Sequence, residues 1–332
     1  MRHLSKLIFL TGIILFLFTF SIAVYFSQRM NNYGETSVNS KIPNYKYHFV
    51  LVPEEVDNDY WRLVEKGAQE AARKNHVLLE YVGPKQGNID EHLKTLEKAA
   101  ASNVDGIITQ SLNEEEFPPL IDSLIDQGIP VVTIDTDSEN SKRISYIGTN
   151  NYYSGFIAGT KLIEDTKGEV NVAIITGNFH SSNQSLRVDG FKEAVKHEER
   201  IKIVAIEESK ISQIRAAEKA YQILNEYPQV NAFFGTSALD GIGIAQIVQQ
   251  LNRDYIYIIG FDTLKETIEY IKDGVINATV SQQPFEMGYQ SVELMVQLLE
   301  GKKVPEINYT DTLIIQKEDL SSDKQIGGNI ND

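Results

Sequence analysis

The chain has 332 residues and sets 31 Lys plus Arg against 46 Asp plus Glu, a formal charge of -15, which argues against a nucleic-acid backbone binder. Hydrophobic residues at 42 % and charged residues at 23 % make a globular composition, and the length suggests two domains of roughly 100 to 200 residues each. The chain has no cysteine, and its six histidines never come closer than sixteen positions to one another. Disulfides, thiolate metal sites, cysteine nucleophiles and local zinc-ligand spacings are therefore excluded.

From Leu7 to Phe26 every residue is apolar or small and uncharged, the length an α-helix needs to cross about 30 Å of hydrocarbon. Arg2 and Lys6 precede it, so the positive-inside bias places everything after Phe26 outside the cytoplasm. A cleavable signal peptide is the competing reading, since Ser21-Ile22-Ala23 loosely resembles a cleavage site. The long apolar core, followed at once by Val24, Tyr25 and Phe26, favours an uncleaved anchor in contact with the lipid bilayer through residues 7–26. Residues 1–28 are thus expected to form a signal-anchor helix, with a polar linker over 29–45.

Beyond the linker, Tyr47 to Val52 reads as a strand, and Asn58 onward as a helix with Trp61, Val64, Ala68, Ala71 and Ala72 on one stripe. A strand follows at Val77 to Tyr81, a helix at Asp90 to Ala101 and a strand at Val104 to Thr109. Next come a helix at Leu120 to Asp126, closed by Gly128, and a strand at Pro130 to Ile134. Alternation of this kind predicts a parallel sheet covered on both faces. The second half repeats the plan. Lys66 to Ala71 aligns with Asp189 to Ala194 at an offset of 123, Val104 to Thr109 with Val230 to Gly235 at 126, and Val131 to Asp135 with Ile258 to Asp262 at 127. Two similar α/β lobes are expected.

Open parallel sheets bind ligands at the carboxyl ends of their strands. In the first lobe those ends carry Glu54, Glu55, Asp57, Asn58, Tyr60 and Trp61, then Gln110 and Ser111, then Asp135 and Asp137. In the second they carry the loop Gly177 to Arg187, Ser237 to Asp240, Asp262 and Gln282. Carboxylates and an Arg fork can each engage two vicinal hydroxyls, and aromatic faces cover the apolar side of a pyranose ring. The set matches an uncharged polyol. Structural readings compete at each position: Asp135 and Asp262 as helix N-caps, Tyr60 and Trp61 as core, Arg187 as a surface cation, the run of Glu54, Glu55 and Asp57 as a solvated face.

At these residues the chain resembles the type I periplasmic sugar-binding proteins of the ribose, galactose and xylose class, over nearly everything from Tyr47 to about Asp319. Asp57-Asn58-Asp59-Tyr60-Trp61 is similar to the family's Asn-Asn-Pro-aromatic-aromatic segment. Asp135 stands at the first-lobe aspartate, Arg187 to Phe191 at the RxxGF helix start, Gly260-Phe261-Asp262 at GFD, and Gln282-Gln283-Pro284 at the Gln-x-Pro turn. The resemblance implies two Rossmann-like lobes joined by a hinge with three crossings, the first spanning 46–149 plus 283–311 and the second 150–282 plus 312–320, before a polar tail at 321–332. It further implies that Asn58, Asp135, Arg187, Asp262 and Gln282 hydrogen-bond a monosaccharide while Tyr60 and Trp61 stack on it. Gln110 stands where many relatives have Asn. Thr136 replaces an Arg of ribose binders and Ser237 the usual Asn, so Asp137 or Asp240 is expected to substitute for the lost contacts.

No cofactor or metal is implied. Paired carboxylates such as Asp135 and Asp262 also suit a glycosidase, but neither GxSxG nor a phosphate-binding glycine loop is present. Repressors with this fold need a basic helix-turn-helix where this chain has an apolar run, so no nucleic-acid partner is expected. The remaining choice is the membrane partner. A tethered receptor without Cys is similar to accessory proteins of two-component histidine kinases, and an ABC permease is the alternative.

Overall fold

The computed structural model describes residues 13, 16–22, 24 and 45–321. The chain divides into Met1–Asn44 and Tyr45–Asp332. Within the expected membrane span, residues 13, 16–22 and 24 are helical. Among the described residues no helix is long and apolar enough to cross a membrane, so the expected anchor is not shown. The rest of that span, residues 29–44 of the expected linker and the tail beyond 321 lie outside the described residues.

The first half runs β1 (Tyr47–Val52), α1 (Asp59–Lys74), β2 (Val77–Tyr81), α2 (Ile89–Ala101), β3 (Gly106–Thr109), α3 (Phe117–Asp126), β4 (Val131–Ile134) and β5 (Ser145–Thr149). The second runs α4 (Asn151–Asp165), β6 (Val170–Thr176), α5 (Ser182–Val195), β7 (Ile201–Glu208), α6 (Gln213–Glu226), β8 (Ala232–Gly235), α7 (Ala238–Gln250), β9 (Tyr257–Phe261), α8 (Lys265–Asp273) and β10 (Ala278–Ser281). Then come α9 (Pro284–Leu299), β11 (Ile307–Thr310) and β12 (Leu313–Gln316). Two six-stranded sheets result, ordered β11-β5-β4-β3-β1-β2 and β12-β10-β9-β8-β6-β7. Every pairing is parallel except β10 with β12. The two-lobe α/β architecture is therefore the expected one.

The central strands are short apolar runs buried on both faces, such as Ile107 and Ile108 in β3 or Phe233 and Phe234 in β8, all with no exposed surface. Sequence and structure differ at some ends. Helix α3 starts a turn earlier than its hydrophobic spacing suggests, because Pro118 and Pro119 occupy the first turn, where no amide donor is needed. Strand β3 starts at Gly106 rather than Val104. Asp105 pairs its amide with the His48 carbonyl at 2.8 Å and its carboxylate with the His48 amide at 2.8 Å, fixing the edge from which the ladder begins.

The chain passes between the sheets after β5, after β10 and between β11 and β12. The helix after each of the first two passages docks on the other lobe's opening helix, α4 on α5 and α9 on α1. Glycine makes both dockings possible. A Cβ at Gly67 would overlap the Phe285 carbonyl and one at Gly288 the Val64 carbonyl; a Cβ at Gly190 would overlap the Tyr152 carbonyl and one at Gly155 the Arg187 carbonyl. Gly67 and Gly190 are related by the sequence offset of 123, so the repeat carries a helix contact as well as a strand order.

Candidate functional site

The carboxyl ends of both sheets border a cleft of about 1040 Å³ with Glu54, Glu55, Asp57 and Leu112 on one wall and His180, Ser181, Glu208 and Leu239 on the other. At corresponding places, just after β4 and β9, lie Asp135 and Asp262. Both adopt left-handed backbone angles, φ 61° and 66°, which short polar side chains tolerate and which cluster at functional sites. Neither is a helix cap. No helix lies between β4 and β5, and α8 is preceded by Leu264.

The Asp135 carboxylate accepts hydrogen bonds from the Tyr60 hydroxyl at 2.7 Å, the Thr136 hydroxyl at 3.0 Å and Asn183 Nδ2 at 3.2 Å. Tyr60 belongs to the first lobe and Asn183 to the second, and the same offset of 123 relates them. One carboxylate is thus held from equivalent positions on α1 and α5. Burial, with the adjacent Asp135, holds the Tyr60 phenol well above its ordinary range, so it remains a donor.

Asp262 accepts from Gln282 Nε2 at 2.8 Å. Burial pushes its carboxyl up to about 6, with nearby Arg187 and Gln282 opposing and Asp135 reinforcing. Arg187 is buried, 2 % exposed, with each guanidinium nitrogen engaged: Nε with Asn151 Oδ1 at 2.9 Å, Nη1 with the Thr236 carbonyl at 2.8 Å, Nη2 with Gln282 Oε1 at 3.0 Å. Its carbon centre lies 3.8 Å from the Phe261 ring centroid, a cation–π contact. Thr149 also donates to Gln282 Oε1 at 2.7 Å. The Arg187, Gln282 and Asp262 group is therefore tied to Thr149 and Asn151, where the chain leaves the first sheet.

Other expected site residues meet local demands. Asn58 caps α1, its Oδ1 accepting from the Tyr60 amide at 2.9 Å. The Trp61 ring packs in the first-lobe core beside Val64 and Met287, edge-on to Tyr60 at 5.6 Å and 4 % exposed. In this conformation it presents no open face to the cleft. Asp240 is fully buried, bound to the Ser209 hydroxyl at 2.5 Å and the Ser237 amide at 2.9 Å. It holds the start of α7 instead of standing in for a lost contact, and burial pushes its carboxyl up to about 6 against those hydrogen bonds. Asp137 pairs with Arg143 through both oxygens at 2.6 Å and accepts from Thr133 at 2.8 Å. It braces the loop before β5. Ser237 opens α7 in a capping box with Asp240, and Gln110 is buried just after β3.

Sequence reasoning missed Asn151, Thr149 and Arg143, and took in Asn183 only as part of the loop Gly177 to Arg187. Each is an ordinary polar residue near a helix start or strand end, and only Asn183 carried a usable signal, its repeat position opposite Tyr60.

A model of the periplasmic binding protein domain matches residues 49–303. The chain is 60 % identical to GanP, a glucose-galactose binding protein from Geobacillus stearothermophilus, at a TM-score of 0.82 over 83 % of this chain and 99 % of that one. It is 37 % identical to XylFII in the XylFII-LytSN complex, TM-score 0.78, over 82 % and 99 %. It is 32 % identical to a sugar ABC transporter (sugar-binding protein) from Bacillus halodurans, TM-score 0.76, over 82 % and 99 %. With the doubled sheet order, the paired aspartates and the hinge network already in place, these matches lead to one family: the chain belongs to the type I periplasmic sugar-binding proteins, which bind sugars and are not enzymes.

Proposed function

We propose that this extracytoplasmic sugar-binding protein closes on a single hexose of the glucose or galactose kind and reports its presence to a membrane histidine kinase. The observation that carries the reading is the meeting of Asp135, Asp262, Arg187 and Gln282 at the joint of the two lobes. The bonds that join Arg187, Gln282 and Asp262, and those that Asp135 accepts from Tyr60, Thr136 and Asn183, can be exchanged for sugar hydroxyls as the lobes close. The hexose class follows the 60 % identity to the glucose-galactose binding protein. Tyr60 is hydrogen-bonded to Asp135 in this group, and Asn58, Gln110 and Ser237 are proposed to complete the ligand shell. Asp137 and Asp240 act from behind it by bracing the loop before β5 and the start of α7.

The signalling role draws support from the 37 % identical relative that forms a complex with a second protein, and from the uncharged run 7–26, which would hold the domain at the membrane. A partner that prefers one lobe arrangement would read occupancy by population shift. Delivery to an ABC permease is the second reading, favoured by the 32 % identical sugar-binding protein of a sugar ABC transporter.

Trp61 is the only tryptophan and lies beside Tyr60. Titration of its fluorescence with pentoses and hexoses should give a saturable change with glucose or galactose at the lowest concentration. A response confined to pentoses would overturn the hexose assignment, and no response together with no heat of binding would overturn the receptor reading. Co-purification of a kinase sensor domain only when sugar is present, or only when it is absent, would establish the partner.

A further inference from the structure

The two left-handed aspartates are held from behind by matching hydroxyl groups. Asp135 donates its amide to the Ile147 carbonyl at 3.2 Å, and its own carbonyl accepts from the Tyr146 hydroxyl at 2.8 Å. Asp262 donates its amide to the Val280 carbonyl at 2.7 Å, and its carbonyl accepts from the Thr279 hydroxyl at 2.8 Å. Tyr146 and Thr279 stand at a sequence offset of 133, as do Ile147 and Val280 and the crossing-helix glycines Gly155 and Gly288. A phenol in one lobe and a short aliphatic hydroxyl in the other thus make the same bond from equivalent places on β5 and β10. Both donors are buried. A left-handed backbone at a residue with a side chain persists only where its surroundings over-determine it, and the hydroxyl on each aspartate's carbonyl supplies that constraint. The same strands lead into the crossings. The Tyr146 hydroxyl also reaches the Thr149 carbonyl at 3.0 Å, and the Thr149 hydroxyl bonds Gln282, its own equivalent at the offset of 133.

We propose that Tyr146 and Thr279 are positioning residues for sugar binding, each aiming one aspartate carboxylate by clamping its backbone to the strand that enters the hinge. The inference rests on the receptor reading above, with Asp135 and Asp262 as ligand groups. A carboxylate that is free to turn must be ordered when the sugar binds, which weakens binding; one aimed in advance by its supporting hydrogen bonds avoids that loss. Without the hydroxyl the strained peptide can relax and its carboxylate turns away from the ligand. Because β5 and β10 carry the chain between the lobes, the clamps also keep each aspartate in step with the hinge as the lobes close.

The test is calorimetric titration of the intact chain, Tyr146→Phe, Thr279→Val and Thr279→Ser with the tightest-binding monosaccharide and its deoxy analogues, beside Asp135→Asn and Asp262→Asn. Tyr146→Phe and Thr279→Val should each bind the parent sugar roughly tenfold more weakly. Thr279→Ser keeps the hydroxyl and should bind as the unaltered chain does. The loss in Tyr146→Phe should vanish for the same deoxy analogue as the loss in Asp135→Asn, and the loss in Thr279→Val for the same one as in Asp262→Asn. Equal weakening toward every analogue would overturn the proposal by showing a structural role alone, and so would undiminished affinity in a less stable protein. If the unaltered chain binds no monosaccharide, the receptor reading falls first and the positioning role with it. Should Tyr146→Phe fail to fold, the threonine decides: equal affinities of Thr279→Val and Thr279→Ser would mean that the hydroxyl aims nothing.

Discussion

The two lobes share a scaffold and differ in what they place on it. Both order their first five strands alike, both end the fourth in an aspartate with a left-handed backbone, and both dock a crossing helix against a glycine on the opening helix. The chemistry is unequal. Arg187 in α5 corresponds at the offset of 123 to Val64 in α1, so the second lobe extends a guanidinium toward Gln282 where the first has a core methyl group. The first lobe answers with carboxylates, Glu54 and Asp135, and with the Tyr60 hydroxyl. A further difference follows the fourth strands: α8 fills the second lobe's gap, while the first lobe uses a loop clamped by Asp137 and Arg143. The shared contacts are those that backbone sterics enforce, while the strand-end side chains differ, Arg187 standing with Asp262 on one lobe and Tyr60 with Asp135 on the other.

The largest effect is expected where the lobes differ most. Arg187→Ala leaves Asn151 Oδ1 and the Thr236 carbonyl without their donor and Gln282 Oε1 with Thr149 alone, which should lower stability by about 3 kcal/mol or more and abolish tight sugar binding. Denaturant unfolding and calorimetry measure the two losses; binding retained in a destabilised protein would make Arg187 a hinge brace rather than a ligand group.

Where the lobes agree, paired substitutions should cost alike. Gly67→Ala and Gly190→Ala each push a methyl group into a facing carbonyl, and each should lose about 1 to 3 kcal/mol. Clearly unequal midpoint shifts would show that one helix pair can slide apart and that the likeness is only topological.

The smallest effect is electrostatic. A carboxyl held at about 6 in the folded chain, against about 4 when unfolded, binds its proton more tightly when folded. Its stabilising contribution is present below about pH 4 and lost as pH rises through about 6. Glu54 and Asp240 act in the same sense. His92, driven down to about 3 by burial, acts oppositely and favours the folded state once pH exceeds the ordinary histidine range. Thermal scans of the ligand-free protein should therefore show Asp262→Asn with a flatter decline between pH 4 and 6 than the unaltered chain. An unchanged slope would mean that Asp262 titrates at its ordinary value, as a solvated carboxylate would.

Much of the fold was legible because its signals are local. Buried parallel strands must be short apolar runs, and β1 and β2 fall where such runs predict; Gly128 closes α3 from a left-handed position. The doubled plan was legible from three aligned segments. The candidate site was legible in location, since strand ends can be counted, and in its main members, since Asp135, Asp262, Arg187 and Gln282 converge. It was not legible in detail. Asp240 and Asp137 have the same chemistry as Asp262 and sit as near to strand ends, yet one caps α7 and the other pairs with Arg143, partners set by side-chain directions that no spacing encodes.

The sequence by itself determined the composition class, the alternation of strand and helix, the repeat and the strand ends where polar groups gather, because each depends on periodicity or on neighbours along the chain. Only the tertiary structure decided which lobe each crossing helix joins, that Asn183 reaches across to Asp135, and that Trp61 lies in the core. Those facts depend on residues tens to hundreds of positions apart meeting at hydrogen-bonding distance, and such meetings are set by how the two sheets face one another.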